Sequence, residues 1–324
     1  MEQAPYYADV AAGPDGGAAW WAGAEDGTRI RVGAWPLKGA RGTVLIFPGR
    51  TEYIEKYDIT AADLAKRGYA ALAVDWRGQG LADRLGRVPE MGHVRRFGDY
   101  QQDVRAALAV AERLDLPHPW HLLAHSMGGA IGLRALHEGL PVATAAFSAP
   151  MWQIVISPPM RPVAWAASAL ARPLGLGQLY SPGASVASYV LSTAFEDNQL
   201  TRDAAMFAHM QAQLGAHPDL VLGGPSLTWL NEALREMRAL RALPAPPVPA
   251  YVAVGSREAI VEADAVRAVT ARWPGARVET YPGAEHEILM EGPGVRARFI
   301  DAIVDLFEAR AGLETKPDTA AAAG

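Results

Sequence analysis

Cysteine is absent from all 324 residues. That excludes disulfides, thiolate metal sites and a cysteine nucleophile, and it permits a reducing compartment without requiring one. Dense runs of lysine and arginine are missing too. With a formal net charge of −5, nothing supplies the basic stripe that nucleic acid needs. No stretch reaches the roughly 18 uninterrupted apolar residues of a membrane-spanning helix. The nearest, residues 150–177 (PMWQIVISPPMRPVAWAASALARPLGLG), is interrupted by prolines and arginines. The opening MEQAPYYADVAAGPDGG has no basic segment followed by an apolar run, so it does not read as a signal peptide. The expectation is a cytoplasmic protein.

Half of the residues are hydrophobic and 20% are charged, which is the usual balance for a chain that folds around its own core. Short β-rich runs alternate with helical patterns, the rhythm of a parallel α/β sheet. An alternating run predicts an edge strand over Thr28–Trp35. Continuously apolar runs predict buried strands at Thr43–Phe47, Tyr69–Asp75, Trp120–Ala124, Val142–Phe147 and around 248–255. A further strand is predicted at Arg277–Tyr281. Helices are predicted over Glu52–Arg67, Met127–Glu138, Ala263–Trp273 and Pro293–Ala311, and over Asp99–Leu114, where apolar residues recur near every 3.6 positions. Residues 151–240 break this rhythm with helical patterns and no strand. They read as a helical cap inserted between two strands of a core formed by 1–150 and 241–312. The tail from 313 to 324 is low in complexity and reads as disordered.

The stretch 121-HLLAHSMGGAIG-132 places Ser126 between a buried strand and a helix. This is the context of a nucleophile elbow, G-x-S-x-G, although Ala124 stands where the first glycine is usual. Such a turn presses the residues two before and two after the serine against backbone, so small side chains are needed there. A serine hydroxyl needs a base to take its proton and an acid to orient that base, in the chain order Ser, acid, His for this fold class. His286, in 282-PGAEHEIL-289 just after the last strand, has that placement and the other seven histidines do not. The acid comes from 255-GSREAIVEAD-264. Glu258 is nearest the strand end, whereas Glu262 and Asp264 fall in the first turn of the next helix. Oxyanion donors are expected from the backbone N–H of Met127 and, in the loop 47-FPGRTEY-53, from that of Arg50.

Taken together these segments resemble the α/β-hydrolase superfamily and, within it, the lysophospholipase and monoacylglycerol lipase group. FPGRTEYIEKY (47–57) is similar to that group's H-G-x-x-E-x-x-x-R-Y, 75-DWRGQGLADR-84 to D-x-R-G-x-G-x-S, and AHSMGG to G-H-S-M-G-G. The resemblance extends over about residues 28–311 and implies Ser126 as nucleophile, Glu258 as acid, His286 as base, and Arg50 and Met127 as oxyanion donors. Three positions depart from it: Pro48 for histidine, Ala124 for glycine, and Glu258 for the aspartate of G-S-x-D. The glycines of WRGQG do not continue as a dinucleotide loop, so Asp75, Arg77, Gly78 and Gly80 read as framework. No cofactor and no metal is expected.

The apolar residues of 151–240 suit a pocket for an acyl chain, with Met151, Trp152, Phe195 and Trp229 as candidate substrate contacts. The expectation is a serine hydrolase of a lipid-like ester with one hydrophobic acyl group, its partner a small molecule. The cap could graze the inner face of a membrane, with Arg161 and Arg172 the only support for a basic face. A proline-type aminopeptidase shares the triad. A catalytically silent protein binding a hydrophobic ligand is the rival outside enzymes.

Overall fold

The computed structural model describes residues 1–314. Nine strands form one sheet: β1 (Gln3–Ala4), β2 (Ala18–Gly23), β3 (Arg29–Trp35), β4 (Thr43–Phe47), β5 (Ala70–Asp75), β6 (Trp120–His125), β7 (Thr144–Ser148), β8 (Ala250–Gly255) and β9 (Ala276–Tyr281). Their spatial order is β1-β2-β3-β5-β4-β6-β7-β8-β9. The first three strands and the β3/β5 pair are antiparallel, and the rest of the sheet is parallel.

Five of the strands (β4 to β8) are buried at every position because helices cover both faces of the sheet. Alternation sends Leu45, Phe47, Leu72, Val74 and Leu122 to one face. Val44, Ile46, Ala71, Ala73 and Leu123 go to the other. The first face is covered by α2 (Tyr100–Arg113), α3 (Met127–His137), α7 (Leu227–Leu240) and α8 (Ala263–Thr270), through Val104, Ile131, Leu234 and Val266 among others. The second is covered by α1 (Asp58–Ala65) and α9 (Pro293–Glu314), which bring Leu64, Phe299 and Ile303. Between β7 and β8 lie α4 (Met160–Ala171), α5 (Tyr189–Ser192), α6 (Ala204–Ala216) and α7, with no named strand. No described helix is long and apolar enough to cross a membrane. Of the tail read as disordered, residues 313 and 314 belong to α9 and the remainder lies outside the described residues.

Two expectations are corrected. The strand at 28–35 is not an edge, because β1 and β2 lie outside it. Its alternation suggested an edge strand, but the Arg31 guanidinium within it is fully buried, 2.7 Å from Asp75 and 2.8 Å from Glu55. β2 (AAWWAG) is made largely of alanine and glycine, which give little strand signal. The helix predicted over 52–67 divides into a 3₁₀ turn at Ile54–Tyr57 followed by α1. The chain before that turn runs inward, and the Ile54 N–H donates to Asp75 Oδ1 at 2.8 Å.

The parallel pairing aligns the strand ends that matter. Phe47 lies beside Ala124, His125 beside Ser148, Ser148 beside Ala253, and Gly255 beside Tyr281. The loops that follow β4, β6, β8 and β9 therefore leave from one edge of the sheet.

Replacing one member of a buried ion cluster strands the others without compensation, at about 3–5 kcal/mol. Arg31→Met should lower the unfolding free energy in urea by that amount, and a loss below about 1 kcal/mol would show that Glu55 and Asp75 do not depend on it.

Candidate active site

Ser126 joins β6 to α3 with φ 48° and ψ −116°, a left-handed conformation that a side chain adopts at a cost of about 1–3 kcal/mol. Thr51 (φ 69°) and Ala149 (φ 43°) are strained in the same way at neighbouring strand ends. The turn holds because its backbone is satisfied: the Ser126 N–H donates to Ser148 O at 3.1 Å, and the Ser126 carbonyl accepts from Gly129 and Met151, each at 2.8 Å. Gly128 has no substitute here, since a Cβ on it would lie 2.0 Å from the Phe47 carbonyl oxygen. Ala124 is fully buried and tolerated because its neighbour across the turn is Gly132, where a Cβ would sit 3.3 Å from the Ala124 Cβ.

His286 lies in the loop after β9, its Nε2 2.9 Å from Ser126 Oγ. Its Nδ1 is 2.8 Å from Glu258 Oε2. The other Glu258 oxygen accepts from the N–H groups of Ile260 (2.7 Å) and Val261 (3.0 Å). The longer glutamate side chain thus has one oxygen for the imidazole and one anchored to its own loop. Glu262 is instead tied to Arg161, and Asp264 to Arg267. Burial alone would push the Glu258 carboxyl up and the His286 imidazole down. Their mutual attraction and hydrogen bond outweigh it, so Glu258 is held below and His286 above the ordinary range.

The loop 48–51 is fixed from several sides. Pro48 O accepts from Trp76 Nε1 at 2.9 Å, Gly49 O accepts from Gln79 Nε2 at 2.8 Å, and the Gly49 N–H donates to the Glu52 carboxylate. Among the described residues the N–H groups of Arg50 and Met127 find no protein acceptor. Proline in place of histidine at 48 leaves this arrangement intact, because the anchoring atom there is a carbonyl.

A buried polar network beneath Ser126 and His286 was not anticipated. Lys56 Nζ lies 2.9 Å from Glu52 and 2.7 Å from Glu287. The His125 ring stands 4.8 Å from that of His286, with its Nε2 3.5 Å from Glu52. Burial drives His125 down to about 4, so it is neutral near pH 7. Burial works against the Glu52 anion, but Lys56, His125 and Tyr57 hold its carboxyl down at about 2. Glu52, His125 and Glu287 are close enough to hold a metal ion. The Lys56 ammonium already provides the cationic charge between their carboxylates. The sequence carried a signal for this network in the acid and base four residues apart in 52-EYIEK-56, but not its destination.

Two cavities meet at Arg50, Ser126, Gln199 and Ile260. The smaller, of about 270 Å³, is bordered by Thr51, Tyr53, Ser188, Tyr189 and His286. The larger, of about 540 Å³, is lined mainly by apolar side chains including Met151, Ile154, Met160, Val163, Trp229 and Leu230. Of the four candidate contacts, Met151 and Trp229 line this cavity. Trp152 is instead fully buried, donating to Gly129 O at 3.1 Å and packing on Phe147 and Trp273, and Phe195 packs on Phe207. Composition marks the segment as greasy without separating lining residues from those that pack it down.

The family model for serine aminopeptidase, S33, matches residues 38–293. Lysophospholipase L2 of Escherichia coli K12 is 32% identical over 282 residues, covering 82% of this chain and 79% of that protein. A probable lysophospholipase L2 of Haemophilus influenzae is 28% identical over 83% of this chain and 84% of its own length. Among solved structures, a soluble variant of monoglyceride lipase from Saccharomyces cerevisiae superposes with a TM-score of 0.71 at 21% identity, covering 95% of this chain and 99% of that one.

The raised His286 pKa comes from its carboxylate partner. Following the ring by NMR, His286 should stay protonated to a higher pH than a free imidazole. Glu258→Gln should move the titration to lower pH, and an unmoved curve would mean the carboxylate does not govern the ring.

Proposed function

The chain belongs to the serine aminopeptidase S33 family and has the α/β-hydrolase fold; its lysophospholipase and lipase relatives make it an ester hydrolase, and we propose that it cleaves lipid-like esters with one acyl chain through Ser126, His286 and Glu258. The observation that carries this reading is the unbroken hydrogen-bonded series from Ser126 Oγ through His286 to Glu258, set where an apolar cavity meets two backbone N–H groups without acceptors.

In this mechanism Ser126 Oγ attacks the ester carbonyl carbon while its proton passes to His286 Nε2. The carbonyl oxygen gains the displaced electron pair and is met by the N–H groups of Arg50 and Met127. The imidazolium, stabilised by Glu258, gives the proton to the departing alcohol oxygen and leaves an acyl-serine. Water then gives a proton to His286 and attacks the acyl carbon. Collapse of the second intermediate returns the proton to Ser126 and frees the acid. The acyl chain occupies the larger cavity, and residues 151–240 serve as its cap.

An aminopeptidase needs a carboxylate for the α-ammonium of its substrate. The buried carboxylates at this site are engaged, Glu52 and Glu287 by Lys56 and Glu258 by His286, while Arg50 adds a positive charge. These charges favour an ester over an aminoacyl amide.

Met160 and Val163 are exposed apolar side chains on the wall of the larger cavity, and Leu170 and Leu174 are exposed further along the chain. They dock the protein on a lipid surface, from which a single-chain substrate reaches Ser126. Because Arg161 and Arg172 already face Glu262 and Glu232, this contact is apolar and not electrostatic.

Ser126→Ala should abolish labelling by a fluorophosphonate probe and lower turnover of a monoacyl ester by about 10⁴–10⁶. Unlabelled native protein would refute the hydrolase mechanism, and preference for an aminoacyl amide in a panel varying acyl length and head group would refute the substrate class. Glu258→Gln should reduce turnover more than Glu262→Gln. Co-sedimentation with neutral phosphatidylcholine vesicles should fall in a Leu170→Asp, Leu174→Asp double variant and depend little on added anionic lipid; unchanged sedimentation would place the contact elsewhere.

A further inference from the structure

Two arginines in this molecule have fully buried guanidinium groups balanced by carboxylates. Arg31 lies 2.7 Å from Asp75 and 2.8 Å from Glu55. Arg77 lies 2.8 Å from Asp103 and 2.7 Å from Asp26. Arg50 sits inside the site under different conditions. Its Nη1 donates to Gly223 O at 2.9 Å, and its Cζ lies 5.7 Å from the centre of the Trp229 ring. Among the described residues no carboxylate lies within ion-pair distance of it. Partial burial, only slightly opposed by Tyr100, brings its pKa down to about 10, so it remains a cation at neutral pH. The Arg50 side chain is half-buried on the cavity wall, and a guanidinium presents five N–H donors in a planar fork, most of them unused here among the described residues.

The placement is specific as well. Arg50 lines both cavities beside Ser126. Its backbone N–H is the proposed oxyanion donor, and its side chain belongs to the walls of the cavities that adjoin Ser126. Indole on one side and the Gly223 carbonyl on another hold the fork in one orientation, a geometry that matches two phosphate oxygens better than a hydroxyl group.

We propose that the Arg50 guanidinium receives the phosphodiester of a substrate head group, so that the site selects a lysophospholipid over an uncharged monoacylglycerol of the same chain length. The inference rests on Ser126 as the reacting group. In the bound arrangement the acyl chain fills the larger cavity, the ester carbonyl faces the two N–H groups, and the phosphate meets the fork where the two cavities join. The phosphate supplies the anion that the described residues do not.

The test compares binding in a Ser126→Ala background, where no turnover intervenes. The probes are a short-chain lysophosphatidylglycerol and the monoacylglycerol of the same chain, both below their micelle-forming concentrations. Arg50→Gln keeps the backbone N–H, and it should lower the ratio of lysophospholipid to monoacylglycerol affinity at least tenfold. Arg50→Lys, which keeps the charge without the fork, should lower it less. Equal losses for both ligands would reduce Arg50 to a brace for the Gly223 loop and overturn the proposal, as would an unchanged ratio in a folded variant. Inorganic phosphate should not displace the lysophospholipid at equal concentration; if it does, the site belongs to free phosphate and not to a lipid. With Ser126 present, the ratio of kcat/KM values should shift as the binding ratio does. Arg50-dependent binding in a protein that hydrolyses neither ester would refute the hydrolase mechanism and uphold this site. Hydrolysis of both esters with an Arg50-independent ratio would do the reverse.

Discussion

The contact between Gly128 and the Phe47 carbonyl is the constraint around which this site is arranged. β4 and β6 are parallel neighbours, and α3 starts so close to the end of β4 that any side chain at 128 would enter the Phe47 peptide. That approach goes with the left-handed turn at Ser126 and with a Met127 N–H that has no protein acceptor among the described residues. It also brings the loop after β4 alongside, so that Arg50 and the serine face the same cavities. A wider turn would still bury the strands but would separate the hydroxyl from both N–H groups.

Around that turn the molecule uses buried charge in two ways. Arg31 with Asp75 and Glu55, and Lys56 with Glu52 and Glu287, are closed clusters in which each charge is met by an opposite one. They hold the start of α1 and the loop after β4 in place, since Asp75 also accepts the Ile54 N–H and Glu52 that of Gly49. The Glu258–His286 pair is a different kind of contact. Its carboxylate stays ionised and its imidazole becomes easier to protonate, which suits a base that must accept a proton and release it.

Much of the site was legible because its parts fall at strand ends, and strand ends can be read from apolar runs. The turn at Ser126 and the loops containing Arg50 and Glu258 each follow a mostly apolar strand, whereas the strand before His286, RVETY, is largely polar and was read from its place in the α/β rhythm. Glu258 could be preferred to Glu262 and Asp264 by its distance from β8, and the structure pairs it, not them, with His286. The outer strands were less legible. β2 has an alanine-rich sequence, and β3 looked like an edge because its alternation carries no sign of the two strands that lie beyond it. The apolar segment before β8 was legible as a class but not by residue: Met151 and Trp229 face the cavity while Trp152 and Phe195 face the protein.

The sequence by itself determined what periodicity and side-chain size can determine: a parallel α/β sheet, the order of its elements, a small-residue turn around a serine, and an acid and a histidine downstream of it. These are local properties, set by neighbours along the chain. Tertiary structure alone decided which charges meet. That Arg31 has two carboxylates, that Lys56 has two, and that among the described residues Arg50 has none within ion-pair distance depends on residues brought together from distant segments, and the energy of a charge is fixed by what surrounds it in space.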